Sequence, residues 1–487
     1  MNIKSSQRFN CFHRMVLYGL GLLSLVFMHT SSIAHDSNTS IQPETVWVTV
    51  FVHGIMSIKP HLSTNNFILF LQDKVKDTYY EKSIAYMRDN DFFCKNQAMG
   101  PLGLHFIDQH DTSSKDAQKN TSSVALANLF DQMNELAGTN QKSNRYYTFG
   151  WSGLLSPRAR YEDGVKLFEA LDKEMQRLKD LNFAPKVRVI GYSHGGNVAL
   201  NLGAAHQREF PDSSLVIDEL IVLGTPIQHD TDYLINDPIF KRIYSIYSLS
   251  DRVQKLDFFS LDRFFSGRLF AARKDFTLPD KLTQIQFKVM RTMIADCPCK
   301  RYSLQDRIAQ TTDLSMRGIV TGKSRLLRDV SPGHAELWAF GWTPQHYRHT
   351  YPLYPLPTIS LLPFITHNID HDDHLQNGKN KRCNKQLRKH HLIVDIRPEH
   401  EYILFRKRNK KKVEKVVPFI SRQQLTAIKN AIVCVAPENY TTVEYEKHTQ
   451  EAIKESHKVY KQLYAPKGKK RFTSCCGLKK RKYKDDC

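Results

Sequence analysis

The sequence predicts an α/β protein: a mostly parallel β-sheet flanked by helices, with a smaller basic α+β extension at the C-terminus. Three observations carry that expectation. Short apolar, β-branched runs alternate with helically spaced segments from Val46 to Val289, which is the pattern of strands joined by crossover helices. One such run, Val187 to Ile190, breaks into GYSHGG (Gly191–Gly196) and then an Ala/Leu-rich helical stretch. The charge is also uneven: of a net +21, the segment from Gln376 onward carries 29 Lys+Arg against 11 Asp+Glu, or +18, leaving the body nearly neutral.

Residues 1–34 read as an export signal. Lys4, Arg8 and Arg14 precede the apolar run Val16 to Met28, and Ser32-Ile33-Ala34 supplies a small-residue cleavage site. The run is short for a bilayer span, so cleavage after Ala34 and an exported location are expected; uncleaved, it would leave the protein membrane-anchored. Beyond Cys11 there are eight cysteines, an even number that permits disulfides without specifying their pairing. Cys297-Pro298-Cys299 is too tightly spaced for a zinc pair.

The body, residues 35–345, begins with the strand Val46 to Val52, which runs into His53-Gly54-Ile55-Met56. Asn65 to Val75 has helical spacing and reads as the first crossover helix, and about 79–144 reads as an insertion with a few helices. Tyr146 to Trp151 is a strand, Tyr161 to Leu181 an amphipathic helix, and the GYSHGG strand follows. Ile217 to Leu223 leads to Gly224-Thr225-Pro226, and Arg242 to Leu249 leads to Ser250-Asp251. Leu282 to Val289 would be the last strand of the body. In such sheets the site lies beyond the carboxyl ends of the strands, where Gly54, Ser193, Thr225 and Asp251 all fall.

Gly191-x-Ser193-x-Gly195 sits where a strand turns sharply into a helix. A serine that attacks an ester must be lifted off the scaffold on a strained turn, and glycines on either side give it room. Ser193 is therefore the candidate nucleophile; a plain Gly/Ser turn is the alternative. Oxyanion stabilisation takes two backbone N–H groups, one after the nucleophile and one after an earlier strand, here His194 and Ile55, with Gly54 allowing close approach. The base and its orienting acid would be His334, in Ser331-Pro332-Gly333-His334, and Asp251, with Asp257 and Asp262 as substitutes. The plain readings of these two are a solvated loop histidine and a turn or cap aspartate. The aromatic run of about 256–275 is a lid or acyl-chain wall, or simply core.

Together FVHGI (Phe51–Ile55), GYSHGG, LGTP (Leu223–Pro226), SLSDRV around Asp251 and GHAEL (Gly333–Leu337) resemble the α/β-hydrolase superfamily, in its lipase and esterase branch, over about residues 45–345. The resemblance implies an eight-stranded, mostly parallel sheet and Ser-Asp-His hydrolysis of carboxylic esters, lipid or acyl esters foremost, with no metal or organic cofactor. A thioesterase or amidase on the same fold is the nearest alternative.

Residues 346–375 read as a Pro/His-rich linker. Its HNIDHDDH (His367–His374) is dense in metal-ligand types, but without an evident helix it reads as a polar loop, and no metal is assigned. In the basic extension, residues 376–487, His391–Arg397 and Glu401–Phe405 suggest a hairpin, and Ser421–Val435 and Glu444–Tyr464 two helices. Its basic runs suit an anionic membrane surface; no nucleic-acid module accompanies them, so nucleic acid is not an expected partner. A non-catalytic protein that attaches to an anionic membrane or to nucleic acid through this extension is the other class of function.

Overall fold

A computed structural model describes residues 42–55, 73, 78–110, 121–139, 141, 143–255, 266–294, 325–342, 351–371, 391–397, 402–407, 415–418 and 420–464. The strands are β1 (Glu44–Val52), β2 (Gly103–Phe106), β3 (Asn144–Gly150), β4 (Phe183–Tyr192), β5 (Glu219–Leu223), β6 (Ile243–Tyr247), β7 (Leu282–Ile294), β8 (Arg325–Asp329), β9 (His391–Arg397), β10 (Tyr402–Lys407) and β11 (Lys415–Pro418). They form one sheet of eleven strands, in the order β11-β10-β9-β7-β6-β5-β4-β1-β3-β2, with β8 paired to β7. The consecutive neighbours from β3 to β9 are parallel. The outer pairings and β8 are antiparallel. The protein is thus an α/β protein, and its sheet is wider than the eight strands expected.

The central strands are buried on both faces, and alternate side chains feed two cores. Val48, Val50, Val52, Val189, Leu220 and Val222 point into one. Phe51, Ile190, Ile221, Ile246, Ile285 and Phe287 point into the other. The first is covered by α4 (Pro157–Asp180) and α5 (His194–Arg208). Helix α4 starts where Ser156 accepts a hydrogen bond from the Ala159 N–H at 3.0 Å, with Pro157 in its first turn. Leu167, Phe168, Leu171, Met175 and Leu178 then recur at helical spacing on its buried face. The second core is covered by α3 (Thr121–Ala137), α7 (Leu362–His371) and α8 (Arg422–Cys434).

Four sequence expectations are corrected or refined. The basic C-terminal extension is not a separate appendage: β9 pairs in parallel with β7, from Gln284↔His391 to Val289↔Ile396, and carries β10 and β11 onto the same sheet. Its last helix, α9 (Thr442–Tyr464), packs on α1 (Tyr79–Arg88), and Tyr440 and Ala452 share a core with Ile84, Met87, Phe92 and Phe93. The Pro/His-rich linker is core: Leu353, Leu356, Ile359, Leu361, Leu362 and Ile365 are all fully buried, and Pro363 stands in the first turn of α7, where a missing N–H costs nothing. The insertion contributes edge strand β2 and the core helix α3. Of the aromatic segment, 256–265 lies outside the described residues, while Phe270 is fully buried and paired through its backbone with Gln284.

Residues 1–41 and the expected helix at Asn65–Val75, apart from Asp73, also lie outside the described residues. Among the described helices none is long and apolar enough to cross a membrane.

Candidate active site

The loop after β4 places Ser193 in a backbone conformation of φ 53°, ψ −130°, left-handed for a residue with a side chain. Such a conformation carries strain of about 1–3 kcal/mol and persists only where its surroundings impose it. Here they do: the Ser193 N–H donates to the Leu223 carbonyl at 2.9 Å, and its own carbonyl accepts from the Gly196 N–H at 3.0 Å. Ser193 is 5% exposed and stands at the start of α5.

His334 opens the short helix α6 (His334–Trp338). Its Nε2 is 3.0 Å from Ser193 Oγ and its Nδ1 is 2.8 Å from Asp251 Oδ2. Asp251, beyond β6, is fully buried. Its Oδ1 accepts from the Val253 N–H at 3.0 Å, and Arg268 Nε donates to its main-chain carbonyl at 3.0 Å. With Asp251 held this way, Nδ1 of His334 is the protonated nitrogen and Nε2 faces the serine as an acceptor. The substitutes Asp257 and Asp262 lie outside the described residues.

The β1 loop comes up against the serine. A Cβ on Gly54 would stand 2.8 Å from the Tyr192 ring and 3.0 Å from Ser193 Cβ, so only glycine fits. Gly195 packs in the same way on the main chain of Val52 and His53, and Gly191 on that of Gly196. The backbone of Ile55 is thereby carried to the same edge as that of His194, the first residue of α5. His53 anchors the loop: its Nδ1 donates to the Gly54 carbonyl at 2.7 Å, and the Trp151 indole donates back to the His53 carbonyl at 2.7 Å. Burial pushes the His53 imidazole down to about 4, so it is neutral at physiological pH.

Three contributors were not singled out from the sequence. Tyr192 donates its hydroxyl to the His334 carbonyl at 2.9 Å and stacks on Trp338 at 5.2 Å. Arg268 braces Asp251. Arg160, on α4, is 1% exposed; it donates to Gln228 Oε1 at 2.9 Å and faces His194 Nδ1 at 3.4 Å. Burial, with the Arg160 charge, holds His194 well below its usual range, so that ring is neutral too. The signal for Arg160 was present: a basic residue four positions before Gly164 and seven before Leu167, on the apolar stripe of α4.

The segment His367–His374 is helical as far as His371, and the His367 and His371 rings lie 4.0 Å apart on one face. Asp370 is turned to Arg242 and Tyr244. Among the described residues no group of three or more His, Cys, Asp or Glu could hold a metal; Asp372, Asp373 and His374 lie outside them.

No protein-family model and no curated protein matches the chain. Among solved structures it is similar to the "putative cell surface hydrolase" of Lactobacillus plantarum WCFS1, at 13% identity over 45% of this chain and 75% of that one, with a TM-score of 0.19.

Proposed function

We propose that the protein is a serine hydrolase that cleaves carboxylic esters, lipid or acyl esters foremost, through an acyl-enzyme. The observation that carries this reading is the unbroken line of hydrogen bonds from Ser193 Oγ through His334 to Asp251, centred on a serine in a strained left-handed turn. Such a constellation is recognised by geometry and roles rather than by fold alone.

In the reaction, His334 Nε2 takes the Ser193 proton as Oγ attacks the ester carbonyl, and Asp251 stabilises the imidazolium. The N–H groups of His194 and Ile55 hold the oxyanion. The imidazolium then gives its proton to the leaving alkoxide, the C–O bond breaks, and an acyl group remains on Ser193. A water deprotonated by His334 releases the acid by the reverse steps. This chemistry asks for no cofactor. The expected export and the attachment of the basic C-terminal tail to an anionic membrane surface would bring the enzyme to lipid esters.

A fluorophosphonate probe tests the reading. The wild-type chain should be labelled and Ser193→Ala should not; folded wild type that takes no label would sink the assignment.

A further inference from the structure

Beside the nucleophile's helix, residues of α4, α5 and the loop after β5 line an open cleft of about 440 Å³. Its lining includes Arg160, Arg208, His229, Asp230, Tyr233 and Arg273. Three guanidinium groups therefore stand against two carboxylates, Asp230 in the lining and Asp232 beside Arg273, a net positive charge. The charge is also held in place. Arg273 grips Asp232 with both nitrogens, Nη2 to Oδ1 at 3.0 Å. The Arg208 guanidinium lies 5.4 Å from the centre of the Tyr161 ring. Arg160 is fixed by Gln228 at 2.9 Å and is buried.

We propose that this cleft binds a phosphate-type oxyanion, carried on the substrate away from the scissile ester or taken free from solution. The guanidinium fork matches the spacing of phosphate oxygens and stays charged at any physiological pH. Donors already fixed by their neighbours lose little freedom when a ligand arrives. The volume lies within the range of ordinary small-ligand sites, roughly 300–1,000 Å³, so a phosphate and part of its substituent fit together. An apolar occupant is disfavoured by the charged walls, and a cation by their sign.

Arg160 gives the cleft a link to the candidate active site. One of its nitrogens faces His194 Nδ1, on the residue that follows Ser193, while the same side chain lines the cleft. An anion bound there is felt one residue from the nucleophile. The substrate-borne form of the proposal rests on the serine-hydrolase reading; the binding of an anion does not.

Two arms separate these. In the first, inorganic phosphate is titrated calorimetrically into the full-length protein at low salt, with wild type and Arg208→Gln compared. Arg208 is exposed, so its replacement leaves the fold intact. One site is expected, weakened about ten-fold or more in the variant, the loss of one charge-assisted contact. No binding, or equal binding by both proteins, overturns the proposal. In the second arm, KM is compared for acyl esters with and without a phosphomonoester on the alcohol. A lower KM for the phosphorylated ester, abolished by Arg208→Gln and competed by free phosphate, assigns the site to substrate. Equal KM values with intact phosphate binding assign it to a free anion. Ester cleavage that is absent altogether while phosphate still binds ends the hydrolase reading and leaves the cleft standing.

Discussion

The hydroxyl of Tyr192 donates to the main-chain carbonyl of His334 at 2.9 Å, so the residue just before the candidate nucleophile holds the candidate base. The Tyr192 ring also lies 4.9 Å from the His334 ring and stacks on Trp338. One side chain thus ties the end of β4 to the start of α6, 142 residues later. Tyr192→Phe keeps the stacking and removes the bond. It should cost about 1 kcal/mol of stability and lower kcat with little change in KM, measured by thermal unfolding and steady-state ester hydrolysis. An unchanged kcat would mean that α6 needs no such tie.

Ser193 adopts a positive φ that glycine reaches without penalty. Ser193→Gly should abolish hydrolysis yet raise stability by about 1 kcal/mol, the relieved strain less the entropy that glycine adds to the unfolded chain. Calorimetric unfolding reads it; a melting point below that of wild type would show that the turn is not strained.

Asp251 fixes the protonated nitrogen of His334. Asp251→Asn presents the wrong partner to that ring, and kcat should fall by about 10⁴ with KM nearly unchanged. Asp251→Ala should in addition destabilise the fold, because the Val253 N–H loses its acceptor. Equal activity of the Asp251→Asn variant and the wild type would remove Asp251 from the mechanism.

Gly54 lies against Tyr192 and Ser193 with no space for a Cβ. Gly54→Ala should push the β1 loop away from the serine and cost kcat about 10²-fold, the magnitude of one lost oxyanion donor. Fluorophosphonate labelling should slow in parallel. Full activity in this variant would place the second donor elsewhere than Ile55.

Acid should destabilise the protein through His53. Its folded value, about 4, lies below the ordinary 6.5, so between those values the unfolded chain binds the extra proton. Stability is complete above about pH 6.5 and falls as the pH drops toward 4, by about 3 kcal/mol from this group alone. His194, lowered in the same direction, adds to the fall. In His53→Gln, unfolding midpoints measured from pH 7 to pH 4 should decline less steeply than in wild type.

The candidate site was legible where the chemistry demands rare local patterns. A serine on a tight strand-to-helix turn needs glycines on both sides, and Gly191, Gly195 and Gly196 mark it. The acid and base were legible only by their order along the chain and by their places after predicted strands; nothing local separates Asp251 from Asp257 or Asp262. Arg160 was legible only as a basic residue on an apolar stripe, which in sequence looks like a flaw in the stripe rather than a buried charge with partners. The linker was misread because Pro355, Pro357 and Pro363 signal extended chain, although proline in a helix's first turn is compatible with both. The sheet membership of residues 391–418 could not be seen at all, since a parallel pairing such as Gln284↔His391 joins segments 107 residues apart and leaves no local trace.

That pairing has a consequence for how the chain is made. On a ribosome, every residue of the candidate site from Ile55 to His334 emerges before β9 does. Until then β7 presents an open row of backbone donors and acceptors, the kind of edge that recruits other chains. A protein cut after residue 345 would keep that edge permanently, so a shortened version designed around the active-site segments should precipitate where the full-length chain stays monodisperse. The late strand acts as a lock on assembly: once His391–Arg397 has been synthesised, the edge passes from long β7 to the four-residue strand β11.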